Sequence, residues 1–194
     1  MLVSGSGTLL QALLDASANA EYPARVVAVG ADRTGVEGLA RAQRAGLPSF
    51  AVVPRDHPDR DAWNKALAEA VSSHQPNLVV SAGFMKVLSP AFLAGVGCPV
   101  INTHPSLLPA FPGVRAVRDT LRYGVKVTGC TLHLVDAGVD TGPVLAQRVV
   151  PVRRGDTEDT LHERIKIEER RLLVRTVAEL VNSGATVTGR EVDI

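Results

Sequence analysis

Along the first hundred residues, short apolar, β-branched runs alternate with stretches in which apolar residues recur at helical spacing. Residues 25–31, 49–53, 78–82 and 99–103 read as successive strands, and residues 8–20, 36–45 and 57–74 as the helices between them. The last of these helices has Asp56 as a cap and Pro58 in its first turn. Crossovers of that length suit parallel strands, because the chain must return to the same end of the sheet before the next strand starts. The alternation predicts an α/β fold, a Rossmann-like, mostly parallel twisted sheet flanked by helices.

From residue 125 the pattern changes. Residues 127–135 and 144–152 are strand-like runs separated by the glycine-rich stretch 136–143, which predicts an antiparallel strand pair with a loop of functional length between its arms. Residues 158–182 then read as a long C-terminal helix, with Leu161, Ile165, Leu172, Leu173, Val177, Leu180 and Val181 on its apolar face and Asp156 or Thr157 as its cap. No repeat or linker interrupts the chain, and 194 residues, 45% of them hydrophobic, suffice for one sizeable core. Residues 1–194 are expected to form a single domain.

Charge and composition narrow the function. Lys and Arg number 21 against 20 Asp and Glu, so there is no broad basic surface of the kind that drives non-specific nucleic-acid binding. A local anion site stays open. No apolar run approaches the roughly 20 residues that cross a bilayer, and the start of the chain does not read as a signal peptide. Cys98 and Cys130 lie far apart, against a disulfide framework or a zinc site with paired cysteines, and the five histidines never pair at ligand spacing on one element. The expectation is a cytoplasmic, metal-free protein with buried thiols, monomeric or homodimeric, whose partners are small molecules rather than nucleic acid or membrane.

Three segments could carry chemistry. In Ser4-Gly5-Ser6-Gly7-Thr8 the glycines let the backbone turn tightly between a strand and a helix, whose free amides and dipole favour an anion such as phosphate. The stretch lacks the full dinucleotide fingerprint and the lysine of a P-loop, so a plain strand-to-helix turn explains it about as well. The segment Asn102-Thr103-His104-Pro105-Ser106-Leu107-Leu108-Pro109 leaves the end of a predicted strand, where ligands of open α/β sheets gather. Residues two apart on a strand share a face, so an amide donor from Asn102 and the His104 imidazole can converge on one oxygen. In the loop 136–143, Asp136 reads as a turn residue, and Asp140 gains chemical meaning only if the fold carries it to His104. No serine sits on the elbow that a hydrolase triad would need.

Taken in order, Ser4-Gly5-Ser6-Gly7-Thr8, the run from Ser81 through Gly83-Phe84-Met85-Lys86-Val87 to Leu88, the run from Asn102 through His104-Pro105-Ser106 to Phe111-Pro112-Gly113, and residues 135–143 resemble the phosphoribosylglycinamide formyltransferase family of folate-dependent formyltransferases. The resemblance implies formyl transfer from 10-formyltetrahydrofolate, a co-substrate, to the amine of glycinamide ribonucleotide in purine biosynthesis. Asn102, His104 and Asp140 match the family's catalytic trio. Gly7, Thr8 and the amide of Leu9 match its phosphate contacts, and Pro105, Lys166 and Glu169 its contacts with the rest of the ribonucleotide. Met85, Lys86, Val87 and Leu88, with Asn102 and the loop Val135, Asp136, Ala137, Gly138, Val139 and Asp140, match the pterin enclosure, and Arg60 and Lys86 fall near the glutamate tail. A cis Leu108-Pro109 bond is expected from the same resemblance.

Two departures stand out. Leu9 replaces a common asparagine, leaving only a backbone contact to phosphate there, and the first strand is shorter than the family's, which predicts a loosely anchored phosphate loop. A deformylase, or a formyltransferase acting on another acceptor, is the alternative within the chemistry; a non-catalytic nucleotide-binding module is the alternative outside it.

Overall fold

A computed structural model describes residues 1–194. The chain divides into two compact units, Met1–Asn102 and Thr103–Ile194. The first contains β1 (Leu2–Val3), α1 (Thr8–Ser17), β2 (Val29–Ala31), α2 (Glu37–Arg44), β3 (Ser49–Ala51), α3 (Arg60–Ser72), β4 (Val79–Ser81), α4 (Pro90–Val96) and most of β5 (Val100–His104). Its strand pairs are all parallel: β1 lies between β2 and β4, β3 flanks β2, and β5 flanks β4. Val3, Leu10, Val29, Ala31 and Ala42 form a fully buried cluster. The helical spacing of Leu10, Leu13 and Leu14 and the strand runs thus meet in one core.

The predicted strand at 25–31 shortens to Val29–Ala31 because its neighbours reach no further: β1 pairs only Gly30 and Ala31, and β3 only Val29 to Ala31. The third helix also begins later than expected. Pro54 starts a separate 3-10 turn that consumes Asp56, and Asp59 rather than Asp56 caps α3, its Oδ1 accepting the Ala62 amide at 2.8 Å. Pro58 therefore precedes the helix. Inside α3, Trp63 is fully buried, donates its indole N–H to the Val52 carbonyl at 2.8 Å and stacks on Phe84. Helix α4 has no counterpart in the sequence reading although its signals are complete: a Ser89 cap, Pro90 in the first turn, and Gly97 at φ 65° closing it.

The second unit contains α5 (Ala116–Tyr123), β6 (Val127–Leu134), β7 (Val144–Pro151), α6 (Glu158–Ser183) and a terminal hairpin, β8 (Thr186–Thr188) with β9 (Glu191–Asp193). The antiparallel pair β6 and β7 is present as expected, in register from Val127 opposite Pro151 to Leu132 opposite Ala146. A bulge follows, so that His133 faces Val144. Within the first unit the strand order is β3-β2-β1-β4-β5. Helix α6 buries Leu161, Ile165, Leu172, Leu173 and Val177, but Val181, expected on the same face, is half exposed. At about 3.6 residues per turn it falls away from the centre of that stripe.

Thr157 is the α6 cap, in a reciprocal pair with Thr160. Asp156 instead takes both terminal nitrogens of Arg164, at 2.8 and 2.5 Å, and the Arg153 amide at 2.7 Å. The Arg164 guanidinium, foremost, and then the Arg153 N–H hold the Asp156 carboxyl well below the usual carboxylate range. A depressed carboxyl contributes stability that is fully present above its unfolded value, about 3.9, and is lost as pH falls through the folded one. Asp156→Asn should therefore lower the melting temperature at pH 7, and the gap from the parent protein should close as the buffer is taken down through the carboxylate range. A gap that stays constant with pH would remove the ion pair as its cause.

Candidate active site

In the first unit, two loops leave the carboxyl ends of β1 and β4, the position where open parallel sheets collect ligands. The loop after β1 turns into α1 at Gly7, whose φ of 67° suits glycine, and a side chain there would also strike the Gly38 backbone at 2.8 Å. Thr8 opens α1, so the amides of Thr8 and Leu9 point out of the helix start with no intrahelical acceptor, while the Leu9 side chain is buried. Contrary to the expectation of a loose loop, neighbouring elements hold it. Gly38 donates to the Gly5 carbonyl at 3.0 Å, Arg41 donates to the Ser6 carbonyl at 2.8 Å, and Ser4 accepts the Met85 amide at 2.9 Å. These anchors replace what a longer β1 would supply.

The segment after β4 alternates sharply in exposure. Phe84 and Leu88 are buried, whereas Met85 and Val87 stand 62% and 56% exposed. Both expected cations are near this segment but already engaged. Arg60 donates to the Val87 carbonyl at 2.5 Å with its guanidinium 4.2 Å above the Trp63 ring, and Lys86 lies 3.5 Å from the buried Asp32 carboxylate.

In the second unit, His104 ends β5 and is nearly fully buried. Asp140 stands 36 positions later in the chain, yet its Oδ2 lies 3.2 Å from His104 Nδ1 and accepts the Gly113 amide at 2.7 Å. His104 Nε2 is 2.8 Å from the Phe111 carbonyl oxygen. Both ring nitrogens thus face acceptors, and one proton cannot serve both. Phe111 and Asp140 each have positive φ, 54° and 56°, conformations that cost a non-glycine residue about 1–3 kcal/mol. Leu108-Pro109 is cis, as expected. In the loop between β6 and β7, Asp136 accepts the Gly138 amide at 3.0 Å and the Thr141 hydroxyl at 2.6 Å, which is the turn role expected of it. Ala137, Gly138 and Val139 are exposed there, and Val135 is half-buried.

His133 was not among the sequence candidates. The bulge beside it turns it inward, where its Nδ1 is 2.8 Å from the Leu134 carbonyl and its Nε2 3.6 Å from Asp140 Oδ1. A bulge next to a polar loop often re-aims a side chain at a site, but strand pairing register was needed to find it. Arg190, in the hairpin that the sequence reading did not foresee, donates to the Thr141 carbonyl at 3.1 Å. Lys166 and Glu169 do not pair: Lys166 binds Glu163 at 2.8 Å, and Glu169 is buried against the Thr103 hydroxyl. Burial pushes the Glu169 carboxyl up to about 7, against the opposing pull of Lys166, Arg170 and Thr103. Pro105, next to His104, is half-buried, and Asn102 precedes His104 by two positions on the same strand, as the reading required.

Electrostatics correct one expectation. Asp140 was expected to raise the His104 pKa; burial instead lowers it, outweighing the upward pull of the Phe111 carbonyl and of Asp140. Burial pushes Asp140 up in turn, but hydrogen bonds from His133 and Gly113 and the charge of His104 bring it below its usual value. A carboxylate held in its charged form therefore sits beside a buried imidazole that favours its neutral form more than a free one does.

A carboxylate and an imidazole meet at the end of β5 in the second unit, and in the first a positive-φ glycine loop opens α1; each is suited to a polar small-molecule substrate. The comparisons agree: the formyl transferase family model matches residues 1–177, and the chain belongs to that family. It is 58% identical over 190 residues to a phosphoribosylglycinamide formyltransferase of Mycobacterium tuberculosis, covering 98% of this chain and 87% of that protein. Its fold superposes on the crystal structure of glycinamide ribonucleotide transformylase 1 from Symbiobacterium toebii with a TM-score of 0.96 at 44% identity, across 100% of this chain and 91% of that one. The phosphoribosylglycinamide formyltransferase of Bacillus halodurans gives 0.89 at 35% identity, with 94% of each chain covered.

Followed by NMR through its ring signals, His104 should titrate below the ordinary value of about 6.5. Asp140→Asn should move it lower still, because the substitution removes an upward pull and leaves the burial. An unchanged or higher value in that variant would mean that the two side chains do not meet in solution.

Proposed function

We propose that this chain is a phosphoribosylglycinamide formyltransferase, moving the formyl group of 10-formyltetrahydrofolate to the amine of glycinamide ribonucleotide in purine biosynthesis. The observation that carries the reading is the meeting of His104 and Asp140 at 3.2 Å in a formyl transferase chain whose 58% identical relative bears that name. The folate serves as a co-substrate, and the two free cysteines suit a cytoplasmic enzyme.

In this reading the substrate amine attacks the formyl carbon and negative charge gathers on the formyl oxygen. A donor from Asn102 and a ring N–H of His104, which exchanges its Phe111 carbonyl partner for the formyl oxygen, stabilise that oxygen in the tetrahedral intermediate. Burial makes His104 favour its neutral form, and the arriving charge supplies what burial removes: an anion beside an imidazole raises its pKa, so the ring becomes a better donor as the intermediate forms. Asp140, ionised, accepts the proton that the attacking amine loses and passes it towards the folate nitrogen that leaves, so the transfer needs no covalent enzyme intermediate. Gly7, Thr8 and the amide of Leu9 hold the ribonucleotide phosphate in this assignment, with Pro105, Lys166 and Glu169 for the remainder. Glu169, with a pKa near 7, suits a ribose hydroxyl as either donor or acceptor. Met85 to Leu88 and residues 135–140 take the pterin.

The direct test incubates the protein with 10-formyltetrahydrofolate, with and without glycinamide ribonucleotide, and follows the folate product. Turnover should depend on the ribonucleotide; equal turnover without it would make the chain a deformylase. Asp140→Asn should lose at least about 100-fold in turnover with both substrates saturating. Asparagine tolerates the positive φ at that position as aspartate does, so the loss reports on charge rather than on folding. Asp136→Asn, which keeps the oxygen that accepts from Gly138 and Thr141, should change turnover little. Near-normal rates in folded Asp140→Asn would leave that carboxylate without a catalytic part.

A further inference from the structure

Asp32 follows β2 and is 2% exposed, yet no step of the formyl transfer uses it. An aspartate buried this deeply has to be matched by donors, and three converge on it. Arg33 reaches both carboxylate oxygens, at 2.9 and 3.3 Å, Lys86 comes from the segment after β4 at 3.5 Å, and the Ser4 hydroxyl donates from the loop after β1. Two of the three partners therefore belong to the two loops that flank the carboxyl ends of β1 and β4.

Ser4 completes a chain of hydrogen bonds. Its hydroxyl has one proton, given to Asp32, and its oxygen accepts the Met85 amide at 2.9 Å; its own amide donates to the Gly83 carbonyl at 3.3 Å. Because Asp32 fixes the direction of the Ser4 O–H bond, it also fixes the lone pair offered to Met85. Ser4 is three residues before Gly7, and Met85 opens the exposed apolar pair with Val87. At fold level, an acidic residue after the second strand of a nucleotide-binding sheet commonly holds a ribose hydroxyl. Here its oxygens are taken by protein donors, Arg33, Lys86 and Ser4, in place of a ligand.

Resting on the formyl-transfer reading above, we infer that Asp32 is a positioning residue that couples the two substrate loops through the Ser4 hydroxyl and the Met85 amide. An anion held by the amides at Gly7 to Leu9 adds a further restraint to the loop that carries Ser4, and the more tightly held Ser4 strengthens its existing bond to the Met85 amide in the folate segment. The folate then binds more tightly to the phosphate-loaded protein, and by linkage the phosphate compound binds more tightly to the folate-loaded one by the same factor. One hydrogen bond of ordinary strength, on the order of 1 kcal/mol, corresponds to a coupling of about fivefold.

The test measures folate binding by calorimetry with 10-formyltetrahydrofolate, alone and with saturating ribose 5-phosphate, which has the phosphate and ribose but no amine to accept the formyl group. In the parent protein, ribose 5-phosphate should tighten the folate by about fivefold. Ser4→Ala should bring that ratio close to one. Asp32→Asn, which keeps an acceptor for the Ser4 hydroxyl but loses the charge, should bring it partway and provides the readout if Ser4→Ala does not fold. A purely structural part for these residues would lower the melting temperature and weaken both ligands without moving the ratio. Equal ratios in the parent and in the folded variants would overturn the coupling, as would a parent protein that binds both compounds independently. A parent protein that binds neither compound would overturn the formyl-transfer reading itself, and the coupling with it.

Discussion

The second unit is organised around the hydrogen bonding of one carboxylate. Asp140 accepts the Gly113 amide, faces His104 with the same oxygen and turns the other towards His133, so three stretches of chain converge on two oxygens. Such a carboxylate stays charged only because donors replace the water it gave up. The surrounding backbone bends to deliver it. Asp140 holds a positive φ, the bulge turns His133 inward, and at Gly142 a side chain would collide with the Leu134 carbonyl at 1.8 Å. Glycine at 142 is therefore a requirement of the loop closing on the end of β6.

A comparable economy governs the first unit, where β1 contributes only two residues. A strand that short cannot orient the loop that follows by pairing alone. The burden moves to the close approach of Gly7 and Gly38, to Arg41 on the Ser6 carbonyl, and to the Ser4 hydroxyl. Replacing asparagine by leucine at position 9 is compatible with the same arrangement, since the side chain turns into the core while the amide stays at the helix start.

The fold was legible where a periodic pattern ran long enough to average out local exceptions. The α/β alternation, the antiparallel pair and the 26-residue α6 all emerge from it. Element ends were less legible, because strand length depends on the neighbour: residues 25–28 have strand-like composition, but β1 and β3 stop short of them. Seven residues carry too little periodicity for α4 to show in the hydrophobic pattern, even though its cap, proline and closing glycine mark its ends. Of the candidate site, the placement of Asn102 and His104 on one strand end was legible from spacing, and the approach of Asp140 to His104 only from resemblance. His133, Asp32 and Arg190 were not, since each matters through a partner that only register, a loop crossing or a terminal hairpin brings near.

The cations illustrate why a residue's type foretells less than its partners do. Read from sequence, Arg60 and Lys86 are positive charges waiting for the carboxylates of a glutamate tail. In the structure Arg60 is stacked on Trp63 and bound to the Val87 carbonyl, and Lys86 leans on Asp32. Any attraction to a ligand carboxylate is then an exchange, and its net gain is the difference between two interactions of similar kind. What these side chains contribute without such an exchange is geometric: Arg60 from α3 holds the Val87 carbonyl, and Lys86 ties the segment to Asp32 through its side chain. The segment keeps two apolar side chains turned outward while its backbone is tied by Arg60 at Val87 and by Ser4 at Met85, and that constraint, more than the charges themselves, sets the surface it offers to the pterin in the proposed function.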